Sequence, residues 1–119
     1  MHGLGDLESA VMDILWQADR PLKVRDALED LNKSRNLAYT TVLTVLDNLH
    51  RKGWVRRQRA GRAFEFVPVD SREAAAARAL RDLLDSTGDP DAVLLHFAES
   101  ASDRESDLLR RGLRRRGGS

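Results

Sequence analysis

Residues 38–53 read AYTTVLTVLDNLHRKG. Val42, Val45, Leu46 and Leu49 recur at helical spacing and form one apolar stripe. Thr41, Thr44, Asn48 and Arg51 fall on the opposite side, with Thr40 at the start of the helix and Lys52 at its end. Three β-branched hydroxyls and an amide weaken a helix when left on an exposed face, so something other than local stability is expected to keep them there. Short donors and acceptors suit the edges of base pairs, and a threonine methyl can touch the methyl of thymine. Gly53 is expected to end the helix in the left-handed conformation.

Downstream, Trp54-Val55-Arg56-Arg57-Gln58-Arg59 has strand character, and so does Ala63-Phe64-Glu65-Phe66-Val67-Pro68-Val69. The connection Ala60-Gly61-Arg62 reads as a three-residue hairpin turn with its glycine in the middle. Pro68 cannot donate to a sheet ladder and belongs at a strand end or edge. Upstream, Leu7, Ala10, Val11, Ile14 and Leu15 predict a helix from about Asp6, with Asp6 as its N-cap. Trp16 is expected to pack at the end of that helix, and Ala18 to Leu22 turn the chain at Pro21. Val24, Ala27, Leu28 and Leu31 predict a second short helix, followed by the polar loop Asn32–Asn36.

Beyond Asp70 the character changes. Residues 71–86, SREAAAARALRDLLDS, predict a helix capped by Ser71 with Ala75, Ala79, Leu80, Leu83 and Leu84 on its apolar side. A second helix is expected from Asp91 to Ser100, with Val93, Leu94, Leu95 and Phe97 inside. A third follows a cap at Ser102 or Asp103 and carries Leu108, Leu109 and Leu113. The tail from Arg114 to Ser119 is expected to fray. This divides the chain into residues 1–70 and residues 71–119 with a basic tail.

Charge is near balance overall, at +1, and the average hides the pattern. Residues 35–62 hold seven basic side chains against Asp47 alone, net +6, while residues 63–109 are net −7. Such a local block suits a polyanionic partner; a solvated basic face is the plain alternative. Several classes are excluded or disfavoured. The 119 residues contain no cysteine, so disulfides and thiolate sites are absent, and His2, His50 and His96 lack the spacing of metal ligands. No phosphate-binding glycine loop and no paired nucleophile and base are recognisable, so neither catalytic residues nor a cofactor are expected. No run approaches the ~18 apolar residues of a membrane span. The start, Met1 to Asp6, lacks a basic segment and an apolar signal core, so a cytoplasmic protein without membrane insertion is expected.

The order is helix, helix, helix, hairpin, then three helices. The fold class expected is therefore mainly α with a small β-hairpin: an N-terminal winged helix-turn-helix followed by a C-terminal helical dimerisation region. In such a domain the third helix enters the major groove of double-stranded DNA. Thr40, Thr41, Thr44, Asn48, Arg51 and Lys52 are then the candidate recognition-helix contacts. Arg56, Arg57, Arg59 and Arg62 are the candidate wing contacts, placed to meet phosphates. A small α/β domain with a solvated hairpin is the competing layout. The C-terminal helices are too short for a core of their own, and two chains pairing them is the economical solution. Leu80, Leu83, Leu84, Leu94, Phe97, Leu108 and Leu109 are the candidate dimer contacts. Folding back on the chain's own winged domain is the alternative.

LGDLESAVMDILW (4–16), AYTTVLTVLDNLHRKGWV (38–55), GRAFEFVPV (61–69) and VLLHFAES (93–100) together resemble the BlaI/MecI/CopY family of penicillinase-type repressors. The resemblance implies a homodimeric winged-helix repressor on a dyad operator, commonly in promoters of β-lactamase or related resistance genes. It assigns base and phosphate contacts to Thr40, Thr41, Thr44 and Asn48; many relatives carry arginine at the position of Asn48. It also implies release by a membrane sensor protease, through cleavage before a phenylalanine in the dimerisation helices. The matching peptide here is His96–Phe97, where well-known members have asparagine in place of His96. The absence of cysteine removes the copper-responsive branch. A winged-helix protein-interaction scaffold, without specific DNA binding, is the competing function. Such a scaffold has no need of a basic wing beside a polar helix face.

Overall fold

In the computed structural model, which describes residues 1 and 3–117, the apolar stripes of the first three helices close on a small sheet. His2, Gly118 and Ser119 lie outside the described residues. The elements run α1 (Asp6–Ala18), β1 (Leu22–Lys23), α2 (Val24–Leu31), α3 (Tyr39–Arg51), β2 (Val55–Ala60), β3 (Ala63–Pro68), α4 (Arg72–Ser86), α5 (Pro90–Ser100) and α6 (Asp103–Arg116). This is a mainly helical chain with one three-stranded antiparallel sheet, ordered β1-β3-β2. No helix among the described residues is long and apolar enough to cross a membrane.

The chain divides into two compact units, Met1–Ala79 and Leu80–Ser119. In the first, Val11, Met12, Leu15, Leu22, Val24, Ala27, Leu31, Val42, Val45, Leu46, Leu49, Val55 and Phe66 form one buried cluster. Full burial of an aliphatic or phenyl side chain of this kind contributes on the order of 1.5–3 kcal/mol. The unit also takes in the start of α4, whose Ala75 and Ala79 are buried. Two arginines of α4 fasten it: Arg72 pairs with Asp13 at 2.9 Å and lies over Trp16, and Arg78 pairs with Asp70 and lies over Trp54. Trp16 packs at the end of α1 as expected, and its indole N–H donates to the Asp70 carbonyl at 3.0 Å.

Four local expectations are corrected in this unit. Gly5, not Asp6, is the N-cap of α1, because the Glu8 carboxylate reaches back to accept the Gly5 amide at 2.9 Å. Leu22, expected in a turn, forms β1 with Lys23, the two pairing with Phe66 and Glu65 of β3. Trp54 precedes β2 rather than opening it, because it belongs to the helix-ending turn of α3. The hairpin loop has two residues, Gly61 and Arg62, since Ala60 and Ala63 already pair across the strands. Positive φ at Gly61 alone fits the type II′ turn, whose twist matches the strands.

In the second unit the cap expected at Ser102 is present, while α5 starts at Pro90 rather than Asp91, with Asp89 of the expected turn as its cap. Ser71, in the first unit, caps α4 through the Ala74 amide; Asp89 caps α5 with Pro90 at its first position. Ser102 and Glu105 form a reciprocal capping box on α6. The interior positions are not as expected: Val93, Leu94, Leu95 and Phe97 are all exposed, and no residue of α5 or α6 is buried. Arg114 to Arg116 continue α6 to a cap at Gly117 instead of fraying, in keeping with arginine's helix propensity and its fit to the negative helix end.

Candidate nucleic-acid interface

α3 is set by its two ends. At its start, the Asn32 side chain holds Leu37 from both sides, accepting its amide at 2.8 Å and donating to its carbonyl at 3.0 Å. That fixes the turn between α2 and α3. At its finish, the Gly53 amide reaches the His50 carbonyl and the Trp54 amide reaches the Leu49 carbonyl. Gly53 has a φ of 82°, so this is a Schellman ending that a side chain would strain.

Between these ends, Val42, Val45, Leu46 and Leu49 are buried, and Thr40, Thr41, Thr44 and Arg51 are exposed opposite them. Asn48 is half-buried. The Thr44 hydroxyl donates to the Thr40 carbonyl at 2.9 Å, which fixes its rotamer and leaves its lone pairs and methyl outward. Arg51 donates to the Asn48 Oδ1, joining these two side chains into one polar group. Lys52 is directed elsewhere: its ammonium pairs with Glu8 of α1 at 2.8 Å. Burial pushes the Glu8 carboxyl up, but the Gly5 amide and Lys52 outweigh it and hold the group below its ordinary value.

The four wing arginines do not form one cluster. Strand alternation places Arg57 and Arg59 on the face of Phe64 and Phe66, and Arg56 on the other face beside Val67. Arg57 and Arg59 lie over the Phe64 ring at 4.6 and 5.3 Å. Arg57 also pairs with Asp47 of α3 at 3.6 Å. Arg62 stands exposed in the hairpin loop.

A groove between α2, α3 and the hairpin is lined by Lys23, Arg25, Tyr39, Asp47, Arg62 and Phe64, among others. Lys23, Arg25, Tyr39 and Asp47 were absent from the residues expected at this face. For Asp47 a signal existed: Thr40, Thr44, Asp47 and Arg51 follow one another at helical spacing, one line along α3. For Lys23 and Arg25 none did, because β1 and α2 meet the hairpin only through the sheet.

In the second unit, Leu80, Phe97, Leu108, Leu109 and Leu113 line one shallow apolar groove. Leu83 and Leu94 are exposed and Leu84 half-buried, outside that groove. His96 and Phe97 sit in the middle of α5, and both line a second apolar hollow with Val93.

A family model described as the penicillinase repressor matches residues 4–115. The transcriptional regulator BlaI of Mycobacterium tuberculosis (strain ATCC 25618 / H37Rv) is 44% identical over 113 residues, which is 92% of this chain and 82% of that protein. Among solved structures, the DNA binding domain of the repressor BlaI superposes with a TM-score of 0.53 at 24% identity, over 60% of this chain and 90% of that one. A MarR family protein from Bacillus stearothermophilus gives 0.52 at 19% identity, over 98% and 75%. At these identities the two structures establish the winged-helix fold.

Proposed function

The chain belongs to the penicillinase repressor family, a family of transcriptional repressors rather than enzymes, and on that footing we propose that it binds an inverted-repeat operator as a homodimer. The observation that carries this reading is the exposed polar line of α3 beside an arginine-bearing hairpin. Thr40, Thr41, Thr44 and Asn48 are the base-facing candidates, with Arg51 orienting Asn48 through the bond to its Oδ1. Arg56, Arg59 and Arg62 are the phosphate-facing candidates. Lys52 and Arg57 have intramolecular carboxylate partners and are proposed to organise the face.

Residues 71–119 are proposed as the pairing region. Val93, Phe97, Leu94 and Leu95 step round more than half the circumference of α5 at about 100° per residue and are all exposed, so a single surface cannot cover them. A second copy of these helices supplies the missing surface, and the paired heads then meet half-sites about one helical turn, roughly 34–36 Å, or a multiple apart.

The target is proposed to be a β-lactamase or related resistance or stress promoter, and release to follow cleavage at His96–Phe97 by a membrane sensor protease. The support is the family likeness and the exposed, weakly packed α5. Cleavage would detach α6 from the pairing surface and remove the avidity of two linked heads.

The test is selection of bound fragments from sheared genomic DNA at near-physiological salt, followed by footprinting. The expected result is a protected inverted repeat in a promoter. A folded protein that enriches no sequence would overturn the operator reading and favour a protein-interaction scaffold.

A further inference from the structure

We infer that Asp47 is a specificity-determining residue of the DNA-reading face: it keeps Arg57 from phosphate and penalises duplexes that present no amino group opposite it. The inference rests on the DNA-binding reading above.

Asp47 lies on the same line of α3 as Thr40, Thr44 and Arg51, three residues beyond Thr44 and four before Arg51. Its side chain is 46% exposed, so the carboxylate stands on the reading face and not under it. It is also the single acid among residues 35–62. A carboxylate at the centre of a face that meets a polyanion opposes binding unless it does something there.

The geometry gives it two tasks. First, it pairs with Arg57 at 3.6 Å, and Phe64 holds the same guanidinium from a second side at 4.6 Å. Arg57 is thereby drawn toward α3, and part of its charge is already neutralised. A half-exposed ion pair of this kind adds little to stability, so folding alone is a weak reason for the arrangement. Second, Asp47 is among the residues that line the groove between α2, α3 and the hairpin, and its side chain is half-exposed there. Most base edges in the major groove offer acceptors, which repel a carboxylate; the amino groups of cytosine and adenine are the donors that accommodate it. Asp47 therefore discriminates by an unpaired, repelled charge on wrong sequences, in addition to any contact on the right one.

The experiment compares wild type with Asp47→Asn on two duplexes, the footprinted site and one of random sequence, across a salt series followed by fluorescence anisotropy. In the variant, Arg57 gains a phosphate contact. Affinity for the random duplex is expected to rise about fivefold at about 0.15 M salt, and the slope of log K against log salt to steepen by about 0.9. The phosphate contact strengthens both duplexes alike, and the ratio of site to random affinity falls by the separate loss of the discrimination that the Asp47 carboxylate makes against wrong bases. Adding Arg57→Gln to the variant is expected to restore the wild-type slope on random DNA. Arg57→Gln alone is expected to leave that slope unchanged, a readout that needs no stable Asp47 variant. An Asp47→Asn protein with wild-type slope and wild-type random-duplex affinity overturns the assignment, as does a single Arg57→Gln change that flattens the slope. If wild type itself shows no salt-dependent binding to either duplex, the DNA-binding reading fails first and this one with it.

Discussion

The two units handle the same kind of residue in opposite ways. In Met1–Ala79, thirteen apolar side chains close into one cluster, and Phe66, the largest of them, is 1% exposed. In the unit beginning at Leu80, Leu94, Phe97, Leu108, Leu109 and Leu113 are between 47% and 58% exposed. Both stretches have apolar residues at helical spacing. The difference lies in what stands opposite. The first unit brings three helices and a sheet against one another. The second has short helices whose apolar sides stay exposed. A periodic pattern marks which side of a helix seeks cover, and leaves open whether the cover comes from the same chain or from another.

The largest expected effect would test that contrast directly. Joint substitution of Phe97→Asp and Leu109→Asp should convert a dimer to a monomer in sedimentation and weaken operator binding by two to four orders of magnitude. The unfolding midpoint of the first unit should stay in place. An unchanged oligomer would mean that the exposed groove is not the pairing surface. On the other side of the contrast, Phe66→Ala should cost about 3–5 kcal/mol in chemical denaturation and leave little folded reading head at ambient temperature. A loss below about 1 kcal/mol would show that the cluster collapses around the gap.

Smaller effects sharpen the picture within the first unit. Thr44→Ala should reduce discrimination against wrong base pairs by about 1 kcal/mol, at the low end because its hydroxyl already donates to Thr40. An equal loss on every sequence would contradict a base-reading role. The smallest expected effect concerns Glu8, whose folded pKa is depressed below its ordinary value. A depressed carboxylate contributes stability above its unfolded pKa and loses that contribution as pH falls through the folded one. Glu8→Gln should therefore lower the unfolding midpoint near neutral pH, and the gap to wild type should close in acid. A gap that persists once the pH is well below the folded pKa would show that Glu8 acts through packing rather than charge.

Much of this was legible in the chain itself. The helix stripes, the Gly53 ending, the caps at Ser71 and Ser102 and the hairpin glycine all rest on interactions within a few residues, where local sequence has no competitor. β1 was not legible, because two residues carry no period and become a strand only when β3 lies beside them. The wing arginines could be counted but not sorted. Their division into Arg56 on one face and Arg57 with Arg59 on the other depends on register, and the capture of Arg57 by Asp47 on the approach of the hairpin to α3. Lys52 is the same case, since its partner Glu8 lies 44 residues away.

By itself, then, the sequence determined the helices, the hairpin, the polar face of α3 and the basic block around it, because periodicity, turn chemistry and charge are written locally. Tertiary structure decided which of those charges remain available to a partner. Ion pairs between distant residues are made by packing, and packing also settled that the first unit covers its own apolar surface while the second leaves its apolar surface open.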